Sequence, residues 1–111
     1  MAVGFVNGGL RIDEEAHGTL LVGTHTLSVA STCVHTLTAG GAITLEIDID
    51  TKVALCYVLI TDDGSGRVIT YGTSISAPTA SKTLTASKVY KMELMRSGSI
   101  WYTEGLIQVS V

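Results

Sequence analysis

No stretch of this sequence is long enough to cross a membrane as a helix. Its longest unbroken apolar run covers residues 53–60, far short of the roughly 20 residues that span a bilayer. The mean hydropathy of +0.42 is therefore spread over many short segments. In a chain this small, such a surplus implies apolar surface that meets neighbouring subunits rather than water. A basic excess is missing as well. Seven lysines and arginines stand against ten aspartates and glutamates, for a formal charge of −3, and the cations are scattered. Neither a nucleic-acid backbone nor an acidic membrane is expected as a partner.

Other absences narrow the reading further. Residues 1–6 lack the charged start, long apolar centre and cleavage site of a signal peptide, so a cytosolic site of synthesis is expected. The two cysteines, Cys33 and Cys56, show no C-x-x-C spacing, and free buried thiols are the default in a reducing compartment. A disulfide between them is the alternative. No ten-residue segment carries a 3.6-residue apolar period with caps at its ends, which leaves a chain built of strands.

The strands are legible from alternation. In residues 42–50 every second side chain is apolar and those between are small, polar or acidic, the pattern of a strand with one wet face. Residues 53–60 are apolar throughout, which predicts a strand buried on both faces. The run stops at Thr61-Asp62-Asp63-Gly64-Ser65-Gly66, a cluster of turn formers, and apolar alternation resumes over residues 67–71, so a hairpin is predicted there.

Further strands are expected at 19–23, at 24–38 with a break near Ser31-Thr32, at 82–86, at 89–96, at 100–103 and at 106–111. Residues 10–18 read as a short strand followed by an acidic turn, and 72–81, with the only proline, Pro78, as a loop. No internal repeat stands out. Eight to ten short strands predict an all-β fold, an antiparallel β-sandwich of jelly-roll type. A single domain over residues 10–111 would follow an N-terminal arm at 1–9.

Candidate chemistry is sparse. Glu46, Asp48 and Asp50 fall on one face of a predicted strand, and with Asp62 and Asp63 they offer oxygen ligands for Ca²⁺. No stretch has the spacing of a calcium loop, so a solvated strand face is the favoured reading and no metal is expected. His25, Cys33 and His35 are the soft-ligand group; zinc would need a fourth ligand or a water. Ser65 lies in no Gly-x-Ser-x-Gly elbow. Trp101 and Tyr102, being adjacent in a strand, face opposite ways, so that one enters the core while the other is free to anchor a contact or stack on a sugar. No catalytic group and no cofactor are expected.

The strand over 89–96, the turn Ser97-Gly98-Ser99 and the pair Trp101-Tyr102 resemble the ending of small β-sandwich virion proteins of tailed bacteriophages. The opening Asn7-Gly8-Gly9-Leu10-Arg11-Ile12-Asp13, followed by Gly18-Thr19-Leu20-Leu21-Val22, resembles their start. Thr44-Leu45 and Val68-Ile69-Thr70-Tyr71-Gly72-Thr73 fall where such modules place their central strands, so the likeness covers most of the chain.

The resemblance implies a non-enzymatic structural protein on the capsid surface of the virion, made in the host cytoplasm. It would decorate and stabilise the shell as a cement protein, commonly as a homotrimer, with itself and the major capsid protein as partners. Met1, Val3, Phe5, Val6 and Leu10 of the arm, and Pro78 of the loop, are then the expected capsid or subunit contacts. A tail or fibre module binding host-surface carbohydrate, with Trp101 or Tyr102 as platform, is the alternative.

Overall fold

The computed structural model describes residues 3–6, 9–30 and 32–111, with 3–6 and 9–12 described in their backbone pairing alone. Thirteen strands and no helix occur among the described residues, so the chain is all-β. Strands β1 (Val3–Val6) and β2 (Gly9–Ile12) pair antiparallel as a hairpin. The arm side chains Met1, Val3, Phe5, Val6 and Leu10 lie outside the described residues.

The body begins with three coils, each made of one strand in each of two sheets. They are β3 (Glu14–Leu20) with β4 (Gly23–Leu27), β5 (Val34–Ala39) with β6 (Ile43–Ile47), and β7 (Leu55–Asp62) with β8 (Val68–Tyr71). β3, β5 and β7 run parallel to one another, and so do β4, β6 and β8. The result is solenoid-like stacking, in which the chain crosses from one sheet to the other at each corner. It replaces the antiparallel jelly roll expected from strand count and turn spacing.

Two threonine ladders mark the stacking. Thr19, Thr38 and Thr61 stand over one another in the first sheet, and Thr24, Thr44 and Thr70 in the second. Parallel register thus sets like side chains side by side on neighbouring coils.

Antiparallel pairing takes over after the third coil. β11 (Val89–Ser97) pairs β7, β12 (Ile100–Thr103) pairs β11, and β13 (Ile107–Gln108) pairs β11. β9 (Ile75–Ser76) pairs β12 in parallel, and β10 (Ser81–Thr83) pairs β8 antiparallel. The predicted hairpin of β11 and β12 is thus present, with Gly98 at φ 61° in its turn. The hairpin predicted for residues 53–71 is not. β7 and β8 belong to different sheets, because the turn formers at 61–66 make a corner rather than a reversal.

The corners explain why small residues recur. A Cβ on Gly41 would stand 2.7 Å from the Val22 backbone nitrogen of the preceding coil, so close stacking requires glycine there. Between the sheets lies one core, containing Leu27, Leu45, Ile60, Met92 and Trp101. Trp101 is fully buried and its Nε1–H donates to the Asp48 carbonyl at 2.9 Å, tying β12 to the opposite sheet.

Cys33 and Cys56 are buried and free. Burial above all, with Cys33 and Asp48 nearby, pushes the Cys56 thiol up to about 12. Since the thiolate is the reactive form, Cys56 is expected to resist iodoacetamide in the folded protein at pH 8. Full labelling should follow denaturation, as mass spectrometry of the modified peptide would show.

Candidate functional site

The apolar run at 53–60 was expected to bury both faces. Instead β7 alternates: Cys56, Val58 and Ile60 point into the core, while Leu55, Tyr57 and Leu59 face out. On β11, Tyr90, Met92 and Leu94 point in, while Lys91, Glu93 and Met95 point out. Register brings the outward residues into rows. Leu55, Met95 and Tyr102 form one row, Tyr57 and Glu93 a second, and Leu59, Lys91 and Ile107 a third.

Leu55 is 50 % exposed, Met95 61 % and Tyr102 50 %. Isolated exposed apolar residues are ordinary, but a contiguous group on one sheet face marks an interaction surface. At its centre Lys91 Nζ pairs with Glu93 Oε1 at 3.3 Å. Beside the pair lies a shallow depression of about 440 Å³, whose lining includes Leu55, Tyr57, Glu93, Met95, Tyr102 and Glu104.

The acidic residues singled out from sequence have separate tasks. Glu46 accepts from the Ser74 backbone N–H and hydroxyl and from the Thr73 hydroxyl; the Ser74 N–H chiefly holds its carboxyl below the ordinary value, against a smaller opposing effect of burial. Asp48 accepts from the Val29 N–H, and Asp50 from that of Lys52. The strand ends at Ile47, so the three do not share a strand face.

Asp62 is buried at the third corner and accepts from four backbone N–H groups, while Asp63 forms a two-pronged surface pair with Arg67. Ser65 is an exposed turn residue, and Pro78 is exposed in the loop between β9 and β10. Of the predicted aromatic pair, Trp101 is the core member and Tyr102 the outer one.

The soft-ligand group is also rearranged. His25 lies on β4 in the other sheet, where its Nε2 meets the Leu21 carbonyl at 2.7 Å. His35 instead stands beside Glu15 and His17, the only grouping of three or more potential metal ligands among the described residues. Glu15 pairs directly with His35 in the ladder between β3 and β5. The register then shifts between Ala16 and Thr19, a bulge at which Gly18 adopts φ +68°, and bulges of this kind re-aim side chains.

His17 Nε2 comes within 2.8 Å of His35 Nδ1, with ring centroids 5.1 Å apart and planes inclined by 22°. The centroid distance exceeds the N···N distance by about two ring radii, so the rings meet edge to edge. Glu15 Oε1 lies 3.7 Å from His35 Nδ1 and 3.9 Å from His17 Nε2. That oxygen and His35 Nε2 are buried without a hydrogen-bond partner of standard geometry. Burial, followed by the neighbouring His17, pulls the His35 ring below the usual histidine value; Glu15, the Thr32 backbone and Asp48 oppose this. Sequence reasoning passed over Glu15 and His17 because it placed the acidic segment in a turn. Compared with protein-family models, curated proteins and solved structures, the chain matches none.

Proposed function

We propose that this chain is a structural, non-enzymatic virion protein of a tailed phage, which decorates and stabilises the capsid by adhesive contacts between copies of itself and with the shell. The observation that carries the adhesive part is the exposed apolar face of β7, β11, β12 and β13. Its occupant is a second copy of this chain, because the face is self-complementary in charge. Lys91 and Glu93 lie side by side, so around a threefold axis each Lys91 would meet the Glu93 of the next copy and close a ring of pairs, flanked by the apolar rows. The phage assignment rests on the resemblance carried by the β11–β12 hairpin, its Ser97-Gly98-Ser99 turn and the Trp101-Tyr102 pair.

The test has two parts. Sedimentation of the purified protein should give a trimer, and Met95→Glu should weaken self-association at least tenfold by placing an unpaired charge in the contact. Because Met95 is exposed in the single chain, the variant should keep the wild-type circular dichroism, which separates lost association from lost folding. A wild-type monomer, or a Met95→Glu protein that still assembles, would overturn the self-association. In purified particles, copies in a fixed ratio to the major shell protein would support decoration, and absence from the particle would discard it.

A second reading, a tail or fibre module that binds carbohydrate, is favoured by one feature. The depression sets Tyr57 and Tyr102 beside Glu93 and Glu104, an aromatic surface with hydroxyl-accepting carboxylates at its edge. Only Tyr102 of the original pair is available to it. Retention on a glycan array that disappears in Tyr102→Ala would move the assignment to this reading.

A further inference from the structure

Independently of the sheet face, we propose that Glu15, His17 and His35 form a mononuclear site for a divalent transition metal of the zinc class. The three ligand atoms are separated by 2.8, 3.7 and 3.9 Å. A triangle of these sides has a point about 2 Å from every corner, the length of a bond from zinc to imidazole nitrogen or carboxylate oxygen. An ion there replaces the N–H···N hydrogen bond between the rings, which turn toward the Glu15 side. Two imidazoles and one carboxylate suit zinc and its neighbours; calcium and magnesium prefer oxygen throughout.

An unsatisfied oxygen points the same way. A buried carboxylate oxygen with no donor is costly, and Glu15 Oε1 has none, although two imidazole edges lie beside it. A cation satisfies that oxygen and takes the place of the hydrogen bond that the two ring nitrogens share. With Nδ1 of His35 on the ion, its Nε2 carries the proton.

Access is provided by position. β3 is the outermost strand of its sheet, and the side chains of Glu15 and His17 are 44 % and 19 % exposed while that of His35 is closed off. The fourth position would fall to water. Since Glu15 and His17 belong to the first coil and His35 to the second, the ion would clamp one coil to the next.

The experiment uses the full chain, stripped with chelator and titrated with zinc chloride near neutral pH by calorimetry. One ion per chain is expected, with a rise in melting temperature on the order of 5–10 °C at saturating zinc. Glu15→Gln and His17→Gln, both at partly exposed positions, should keep the wild-type circular dichroism and weaken binding tenfold or more. His25→Gln should bind like wild type.

Imidazole resonances of His17 and His35 should shift on adding zinc while those of His25 stay, a readout that needs no variant. Cobalt in place of zinc should show no thiolate charge-transfer band, which separates this site from one using Cys33. The absence of saturable binding, binding unchanged in both Glu15→Gln and His17→Gln, or a thiolate band would overturn the assignment.

Discussion

Trp101→Ala should destabilise the protein by about 4 kcal/mol, the range for removing a large buried aromatic. Trp101 has no exposed surface, and its Nε1–H is bonded to the Asp48 carbonyl of the facing layer. The substitution opens a cavity between the sheets and leaves that carbonyl without its donor, two costs that Trp101→Phe separates. Phenylalanine fills most of the volume but cannot donate, so its cost should be nearer 1–2 kcal/mol. Urea unfolding followed by circular dichroism measures both, since the only tryptophan is lost as a fluorophore. A loss below about 1 kcal/mol in the alanine variant would mean that the sheets close over the gap. It would also contradict the view that Trp101 is a structural pin.

Asp62→Asn should cost about 3 kcal/mol and remove an acid-dependent part of the stability. One carboxylate oxygen accepts from Arg67 N–H at 2.7 Å, and the other from Gly64, Gly66 and Ser87 N–H at 2.8, 3.0 and 3.1 Å. An amide has one accepting oxygen, so its NH₂ must face donors in any orientation. In the native protein burial pushes the Asp62 carboxyl up, but the N–H groups of Arg67, Gly66, Gly64 and Ser87 outweigh it and hold the value at about 2, below the ordinary 3.8.

A folded value below the unfolded one means that the carboxylate contributes its full stabilisation above pH 4. The contribution, about 2 kcal/mol, is lost as pH falls through 4 toward 2. Unfolding free energy measured across that window should fall in the wild type, with the Asp62 share of the slope missing from Asp62→Asn. Equal slopes in the two proteins would show that the corner does not depend on this charge.

How much of this could be read from the chain follows from what local pattern encodes. Alternation missed β1, most of β3 and β9, which read as an arm, an acidic turn and a loop. It located the longer strands, among them β6 and β11, because period-two patterning is a property of neighbours in sequence. Strand direction is not. Asp62-Asp63-Gly64-Ser65-Gly66 reads as a hairpin turn, yet Asp62 gathers the backbone into a corner that sends β8 to the other sheet. The distinction lies in where β8 finds its partner, β6, far away in sequence.

A signal for the coils was present in the threonines, at Thr24, Thr44 and Thr70 and at Thr19, Thr38 and Thr61. Their spacing is uneven, because the second and third coils are separated by longer connections, and uneven spacing hides a repeat. The pairing of His17 with His35 was less accessible still, since it depends on a bulge at Gly18 that no alternation pattern announces. The run at 53–60 is the most instructive case. Its continuous hydrophobicity was read as two buried faces, and the single chain buries only one; a neighbouring copy would bury the other.

The parallel coils also bear on how the size of this protein can change. Each coil touches only the coils beside it, as in other stacked architectures, and one turn of the chain takes about twenty residues between His25 and Leu45. A coil inserted between β4 and β5 would lengthen the stack by about 4.8 Å, the spacing of neighbouring strands. It would leave Trp101, the Asp62 corner and the face of β7, β11 and β12 unaltered. Height is thus a variable that can drift by whole coils while that exposed face stays fixed, a form of modular growth closed to a jelly roll, whose interleaved strands must all be re-paired when one is added.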